Sequence, residues 1–481
     1  MKKLLPGFIA ILTLASGTMR AAAHDARLVS LNPATGSGPS YVVLNHTVAF
    51  TGVIRNEGTS PITSMILKYS DETGIHADNI TNLNIAPAAE YNFTHSQPYL
   101  VRSYGSHAIN MWVEVAGDNN ADNNSIQTTV EGVAFTPVHH VTVEEATGTW
   151  CGWCVRGIVY LDSMRGVHPN DCDLIAVHDG DPMTNSTYDA AVGALISGYP
   201  ATLVNRDVVS DPQDIFTDYN NSIGDFGVAD LVPTITYNSS THQATVVVNA
   251  TFAVALSGDY RLAVVLTEDN VHNTSGGTWD QHNYYSYQSQ NIPLTDPETG
   301  TDFNALPATI PSSQMYYNYV ARSLQGSFNG LAGSLPSTIP INSTQTHTFN
   351  CNIPTSYNVA NMKAVVLLID NTVSPKHILN SASGSILMGI ENPNSSIGAV
   401  NLYPNPSDQS TNVYLNLSQN EKVTISVYDI AGKLISTEEE GEVAQGEHTY
   451  NLATMDLTKG MYFVKVTAGT SEQTIKMMVT H

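Results

Sequence analysis

Apolar residues recur along most of the chain at every second position, in short runs closed by Gly, Pro, Asn and Asp. Residues 63–69 and 108–115 follow this alternation, 42–53 (VVLNHTVAFTGV) reads as a strand and 55–61 as a turn, and together they predict an all-β region over 24–135. Strand-like runs return over 228–388, in 231–237, 243–252, 260–267, 344–351 and 364–370, and again over 398–481. Residues 136–225 break this pattern. There Val141, Val143 and Ala146 form a short apolar run, a turn follows at Thr147, Gly148 and Thr149, and Val155, Ile158, Val159, Leu161 and Met164 then recur at helical spacing. The expected order is strand (138–145), helix (154–165), strand (173–178), helix (187–197), strand (202–206) and a last helix near 214–223. Such alternation predicts a sheet containing parallel strands and covered by helices. The fold class expected is therefore multidomain, α/β plus all-β, with one α/β domain flanked by β-sandwiches.

Between the strands of the third region lies a long polar and aromatic stretch, 272–325, where Tyr316, Tyr317, Tyr319, Val320 and Arg322 suggest a short helix with an aromatic face. The length of 481 residues fits three or four domains. A net charge of −24, from 19 Lys+Arg against 43 Asp+Glu, argues against nucleic-acid partners and anionic membranes. Residues 1–23 read as a cleaved signal peptide: Lys2 and Lys3 precede a short apolar run, and Ala21-Ala22-Ala23 offers a cleavage site. No later run is long enough to predict a transmembrane segment in the mature chain.

Four cysteines in so long a chain are not a disulfide framework. Cys172 begins a mostly apolar run and Cys351 sits in a strand-like one, and both read as small buried hydrophobes. Cys151 and Cys154 differ, because the pattern puts them where a strand becomes the first turn of a helix. Unpaired backbone N–H groups and the positive end of the helix dipole lower the pKa of a thiol placed there. Cys151, nearest that end, is the expected nucleophile, and Cys154 the resolving thiol that attacks the mixed disulfide. The bland alternative is an inert disulfide or half of a metal site, although no second Cys-x-x-Cys or His-x-x-x-His completes a zinc set. Asp118 and Asp122 invite a calcium reading, but Asn/Asp clusters of that kind are more often hairpin turns. Asp179-Gly180-Asp181-Pro182 follows a strand end as an ordinary turn, and His178 is assigned no role. Hydrolase signatures such as Gly-x-Ser-x-Gly or His-Glu-x-x-His do not occur in the sequence.

The segment VTVEEATGTWCGWCVRG (141–157) resembles the thioredoxin-like family, whose motif is a Trp before Cys-x-x-Cys after a core strand. The resemblance makes 136–225 a thioredoxin-like domain. It implies that Glu145, six residues before Cys151, is a buried carboxylate that accepts a proton from the resolving thiol. It also implies that Pro200, in SGYPATLV, is a cis proline shaping the substrate groove. Trp153 departs from the family, which often has proline there. Glu144 to Cys154, with 260–270, 315–322, 328–330 and 362–370, resembles the 28-kDa outer membrane protein family over residues 138–390. The 24–135 region resembles immunoglobulin-like domains of bacterial surface proteins. Tyr403-Pro404-Asn405-Pro406, Val427-Tyr428-Asp429 with Gly432-Lys433, and Gly460-Met461-Tyr462-Phe463-Val464-Lys465 resemble the sorting domain of type IX secretion over 398–481, joined by a linker at 392–396. That resemblance implies export by the type IX secretion machinery to the surface or the medium. Two functions follow. One is an exported thiol–disulfide oxidoreductase using Cys151, Cys154, Glu145 and Pro200, with no cofactor beyond the dithiol and with cysteine-containing proteins as substrates. The other is a surface binding or adhesion protein in which the same unit is a scaffold.

Overall fold

The computed structural model describes residues 22–33, 40–118, 120–386, 396–430 and 432–480. Most of the expected signal peptide and of the 392–396 linker lies outside the described residues. The chain forms two compact units. One runs to Ile235 and from Ala244 to Ile386; the other comprises the C-terminal residues from 396 together with Thr236–Gln243.

The first unit begins with two facing antiparallel-rich sheets of three and five strands, closed over a core that includes Leu28, Phe50, Ile54, Leu67, Phe93, Ile109 and Met111. Alternate burial in Gly105–Glu114 puts one face of that strand on the core and the other in water. The run 42–53 is not one strand. Asn45 takes a left-handed φ of 65°, which an Asn tolerates, and the chain turns there between Ser40–Val43 and Thr51–Asn56. Asp118 closes a turn, its carboxylate accepting from the backbone N–H of Ala26 and of Asn120 at 2.9 Å each.

The expected thioredoxin-like α/β domain is corrected by the structure. Strand makes up 49% of the described residues, which hold three α-helices of 13, 8 and 8 residues: α1 (Val155–Val167), α2 (Ser186–Gly193) and α3 (Ile215–Ser222). No separate α/β domain is evident. The Val141–Thr147, Cys172–His178, Ala201–Val204 and Val208–Ser210 strands instead share one eight-stranded mixed sheet with Val320–Gln325, Tyr260–Glu268, Met362–Asp370 and His377–Ser385. The physical reason is an edge. Cys172–His178 is buried at every position and carries a full row of backbone groups on each side. Val141–Thr147 pairs with it in parallel on one side, and Val320–Gln325 continues the sheet on the other, through Ala176 opposite Val320. The sheet therefore runs on through strands that lie far downstream in the chain. The expected helix at 316–322 is likewise absent: Tyr317 bridges to Val271 and the chain enters the Val320–Gln325 strand.

Helices cover both faces of this sheet. Tyr188 and Val192 of α2 pack with Ala146, Ile175 and Val177 on one face. Leu161 and Met164 of α1, with Ile215 and Tyr219 of α3, pack with Val141, Val143 and Leu174 on the other. The outer side of α1 meets the long loop region through Val155, Val159, Tyr285, Leu294, Phe303 and Met315. Helix α1 stops at His168, whose N–H donates to the Met164 carbonyl at 2.7 Å, because Pro169 cannot continue the ladder. The C-terminal unit is two sheets of three and four strands, Ile397–Tyr403 to Ser471–Val479, packed on a core including Val413, Leu415, Ile425, Val464 and Val466. No helix among the described residues is long and apolar enough to cross a membrane.

Candidate functional site

The Val141–Thr147 strand ends at Gly148, and a tight turn delivers both cysteines to the start of α1. Cys151 N–H donates to the Gly148 carbonyl at 3.0 Å, Cys154 N–H to that of Cys151 at 3.1 Å, and Gly157 N–H to that of Cys154 at 2.9 Å. Cys151 and Cys154 form a disulfide with Cα atoms 5.3 Å apart. Cys154 is the N-cap of α1 and makes no side-chain cap hydrogen bond, so no cap competes for the N–H groups of the first turn.

A segment of the long loop region lies across this turn. Gln281 Nε2–H donates to the Cys151 carbonyl at 3.1 Å, His282 N–H to that of Thr149 at 2.7 Å, and Tyr284 N–H to that of Gly152 at 2.9 Å. The Tyr284 ring rests on Gly152, where a Cβ would come within 2.4 Å of it. Only glycine permits that approach. Trp153 meets Tyr284 and Tyr285 edge-on, with ring centres 5.4 and 5.6 Å away. Cys151 is 5% exposed beneath this cover. Beside it Trp150 is 43% exposed; its Nε1–H donates to the Asp179 carbonyl at 2.7 Å and its ring meets Tyr199 edge-on at 5.3 Å. The Tyr199–Pro200 bond is cis, and Pro200 is buried.

Glu145 points to the α1 face of the sheet. It is 2% exposed, its Oε1 has no hydrogen-bond partner, and a Cβ on Gly157 would sit 1.6 Å from that oxygen. The carboxyl thus lies against the first turn of α1, in the space left by the missing side chain. Burial pushes its pKa up to about 8; Thr147 and the Arg156 charge pull the other way, and Asp162 and Asp211 add to the rise. Glu145 lines a small cavity of about 20 Å³ together with Asp162, His178, Gln281 and Tyr319. His178 Nδ1 lies 2.7 Å from Asp181 Oδ2, which also accepts from the Thr149 N–H at 3.0 Å.

Cys151, Cys154 and Glu145 thus gather around the start of α1, and Pro200 joins them through the Trp150–Tyr199 contact. Sequence reasoning missed the covering segment at Gln281–Tyr284, the His178–Asp181 pair and Asp162. The pair carried one signal, its place at the end of a mostly apolar strand. The other residues carried none, because nothing periodic marks the loop and Asp162 lies in a helix packed on two sides, where its burial is not marked by the spacing.

The C-terminal unit differs, because its relatives are plain. Residues 401–480 match the model of the family described as the secretion system C-terminal sorting domain. The chain is an exported, cell-surface protein. Its sorting domain makes it a client of the type IX secretion machinery. Among curated proteins, none matches this chain. Two solved structures are similar over parts of it. The CARDB domain of a Pyrococcus furiosus protein, in complex with di-metal ions, is 20% identical over 23% of this chain and 89% of that one, with a TM-score of 0.19. An Agrobacterium tumefaciens protein is 13% identical over 52% of this chain and 95% of that one, with a TM-score of 0.30. Both scores lie below 0.5 and neither likeness bears on function.

Proposed function

We propose that the first unit of this exported protein carries a thiol–disulfide exchange site built from Cys151 and Cys154, acting on cysteine-containing proteins outside the cell. The observation that carries the proposal is Glu145. A structural disulfide does not require an unpaired carboxyl in the core against the helix turn it heads, and such a group costs stability. A resolving thiol that leaves as thiolate does require a nearby proton. A substrate thiolate attacks Cys151 Sγ, the Cys151–Cys154 bond breaks, and Cys154 leaves and takes the proton of Glu145. A second substrate thiolate then attacks the substrate sulfur of the mixed disulfide and releases Cys151. The substrate dithiol is oxidised to a disulfide, and the cysteine pair is reduced by the same two electrons. Tyr199, one residue before the cis Pro200, meets Trp150, the chain neighbour of Cys151.

A second reading is a structural disulfide in a surface binding protein. The cover formed by Gln281–Tyr284 favours it, since attack on Cys151 needs that segment to move aside. A glutathione redox series, read by mass after thiol alkylation, separates the two. A reversible midpoint above roughly −250 mV, with the mixed disulfide lost in Cys151→Ala, supports exchange; a pair still oxidised below roughly −300 mV is structural.

A further inference from the structure

Glu145 is 2% exposed, so protons exchange with it through the protein interior, and the cavity beside it offers a route. The cavity's volume of about 20 Å³ suffices for one water molecule, and its polar walls supply partners for it. Asp162 lines this inner cavity and also a surface cavity of about 480 Å³ bordered by Arg165, Val167, Pro297 and Glu298. It is the one residue common to the two linings. Asp162 is itself 3% exposed and is held in place from three sides. Its Oδ1 accepts from the Tyr319 hydroxyl at 2.8 Å, from Asn318 Nδ2 at 3.3 Å and from an Arg165 guanidinium nitrogen at 3.4 Å.

We propose that Asp162 relays protons between Glu145 and the surface, through one water in the inner cavity, so that Glu145 regains its proton while the cysteine pair is still reduced. The inference rests on the exchange reading of Cys151 and Cys154. After Glu145 gives its proton to the Cys154 thiolate, the cavity water protonates Glu145 and takes a proton from Asp162. Asp162 is then reprotonated from solvent in the outer cavity. No electron moves in these steps, and each proton lost is replaced. The electrostatics suit a relay. Burial and the Asp296 and Glu298 charges lift the Asp162 pKa to about 6, against Tyr319 and Arg165, so this carboxyl takes and gives protons near neutral pH. The charged groups facing Glu145 are Asp162, Arg156 and Asp211, with Arg156 paired to Asp211. Arg165 also pairs with Asp269 and Glu298, so its charge is shared among three carboxylates rather than held by Asp162 alone.

Asp162 is a positioning residue, and its test needs a readout that folding alone does not move. Infrared difference spectroscopy of the full chain in H2O and D2O follows exchange of the Glu145 carboxyl proton, assigned by its loss in Glu145→Gln. The expected result is fast exchange in the natural protein despite its burial, slowing at least tenfold in Asp162→Asn and recovering in Asp162→Glu. The Glu145 midpoint should also fall in Asp162→Asn, since a like charge is removed. Slow exchange in the natural protein, or an unchanged rate in a folded Asp162→Asn, overturns the relay. If exchange depends on Asp162 while the cysteine pair fails the glutathione titration, the relay stands and the exchange reading falls.

Discussion

Glu144 and Glu145 are neighbours on one buried strand, and they meet opposite fates. Glu144 is fully buried on the α2 face, and everything around it is a partner. Arg206 Nε and NH2 donate to its two oxygens at 2.7 and 2.6 Å, the Tyr188 hydroxyl donates to one of them, and the Arg206 guanidinium stacks on Phe328 at 3.5 Å. Glu145, one residue on, faces α1 with an oxygen that nothing satisfies. Strand alternation alone separates them. Equal burial therefore yields a structural pin on one face and a carboxyl with an unpaired oxygen on the other, and what decides is whether a cation was folded in with the carboxylate.

The contrast breaks most readily at Arg206. Arg206→Ala leaves Glu144 as an uncompensated buried charge and should cost about 3–5 kcal/mol, read as a fall in denaturation midpoint. Replacing the pair together, as Glu144→Gln with Arg206→Met, should cost clearly less; equal losses would mean that Glu144 is not what Arg206 holds. Next comes the wall of the Glu145 niche. Gly157→Ala drives a methyl into the carboxyl and should cost about 1–3 kcal/mol, with most of that loss vanishing in a Glu145→Ala background. Additive effects would show that the niche is not shared.

The third effect is a slope. Below pH 4.5 Glu145 is protonated folded or unfolded, and it imposes no penalty. Between pH 4.5 and about 8 the folded chain keeps a proton that the unfolded chain has released, so stability falls as pH rises; above about 8 the penalty is complete. The contribution is at most about 1.4 kcal/mol per pH unit, and a Glu145→Gln variant should lack it. Parallel stability–pH curves for the two proteins would refute the raised pKa. The smallest expected effect lies at the cover. Tyr284→Ala should cost about 1 kcal/mol or less while speeding reduction of the Cys151–Cys154 bond several-fold, followed by alkylation and mass. An unchanged rate would show that Tyr284 does not gate the disulfide.

How much of this was legible depended on whether the signal was local. Val141–Thr147, the Gly148 turn and the apolar spacing of α1 announced a strand, a turn and a helix around Cys151. Glu145 then lay in a run buried at every position, where its partners decide its role. The alternating C-terminal strands and their Tyr403–Pro406 and Gly460–Lys465 pieces were as plain. The eight-stranded sheet was not, because the pairing of Ala176 with Val320 joins residues far apart in the chain and leaves no trace in either run. The site's cover was hidden for a related reason. Gln281–Tyr284 is held by backbone N–H groups, which any sequence supplies, and by a glycine whose meaning appears only when the Tyr284 ring is seen against it.

The pairing of Cys172–His178 with Val320–Gln325 also governs how the protein can be cut. A fragment ending near residue 225 would strip one edge from a strand buried at all seven positions, leaving open backbone flanked by apolar side chains. Such a piece would self-associate, and the shortest soluble form of the Cys151–Cys154 site should extend past Ser385, the last residue of the edge strand.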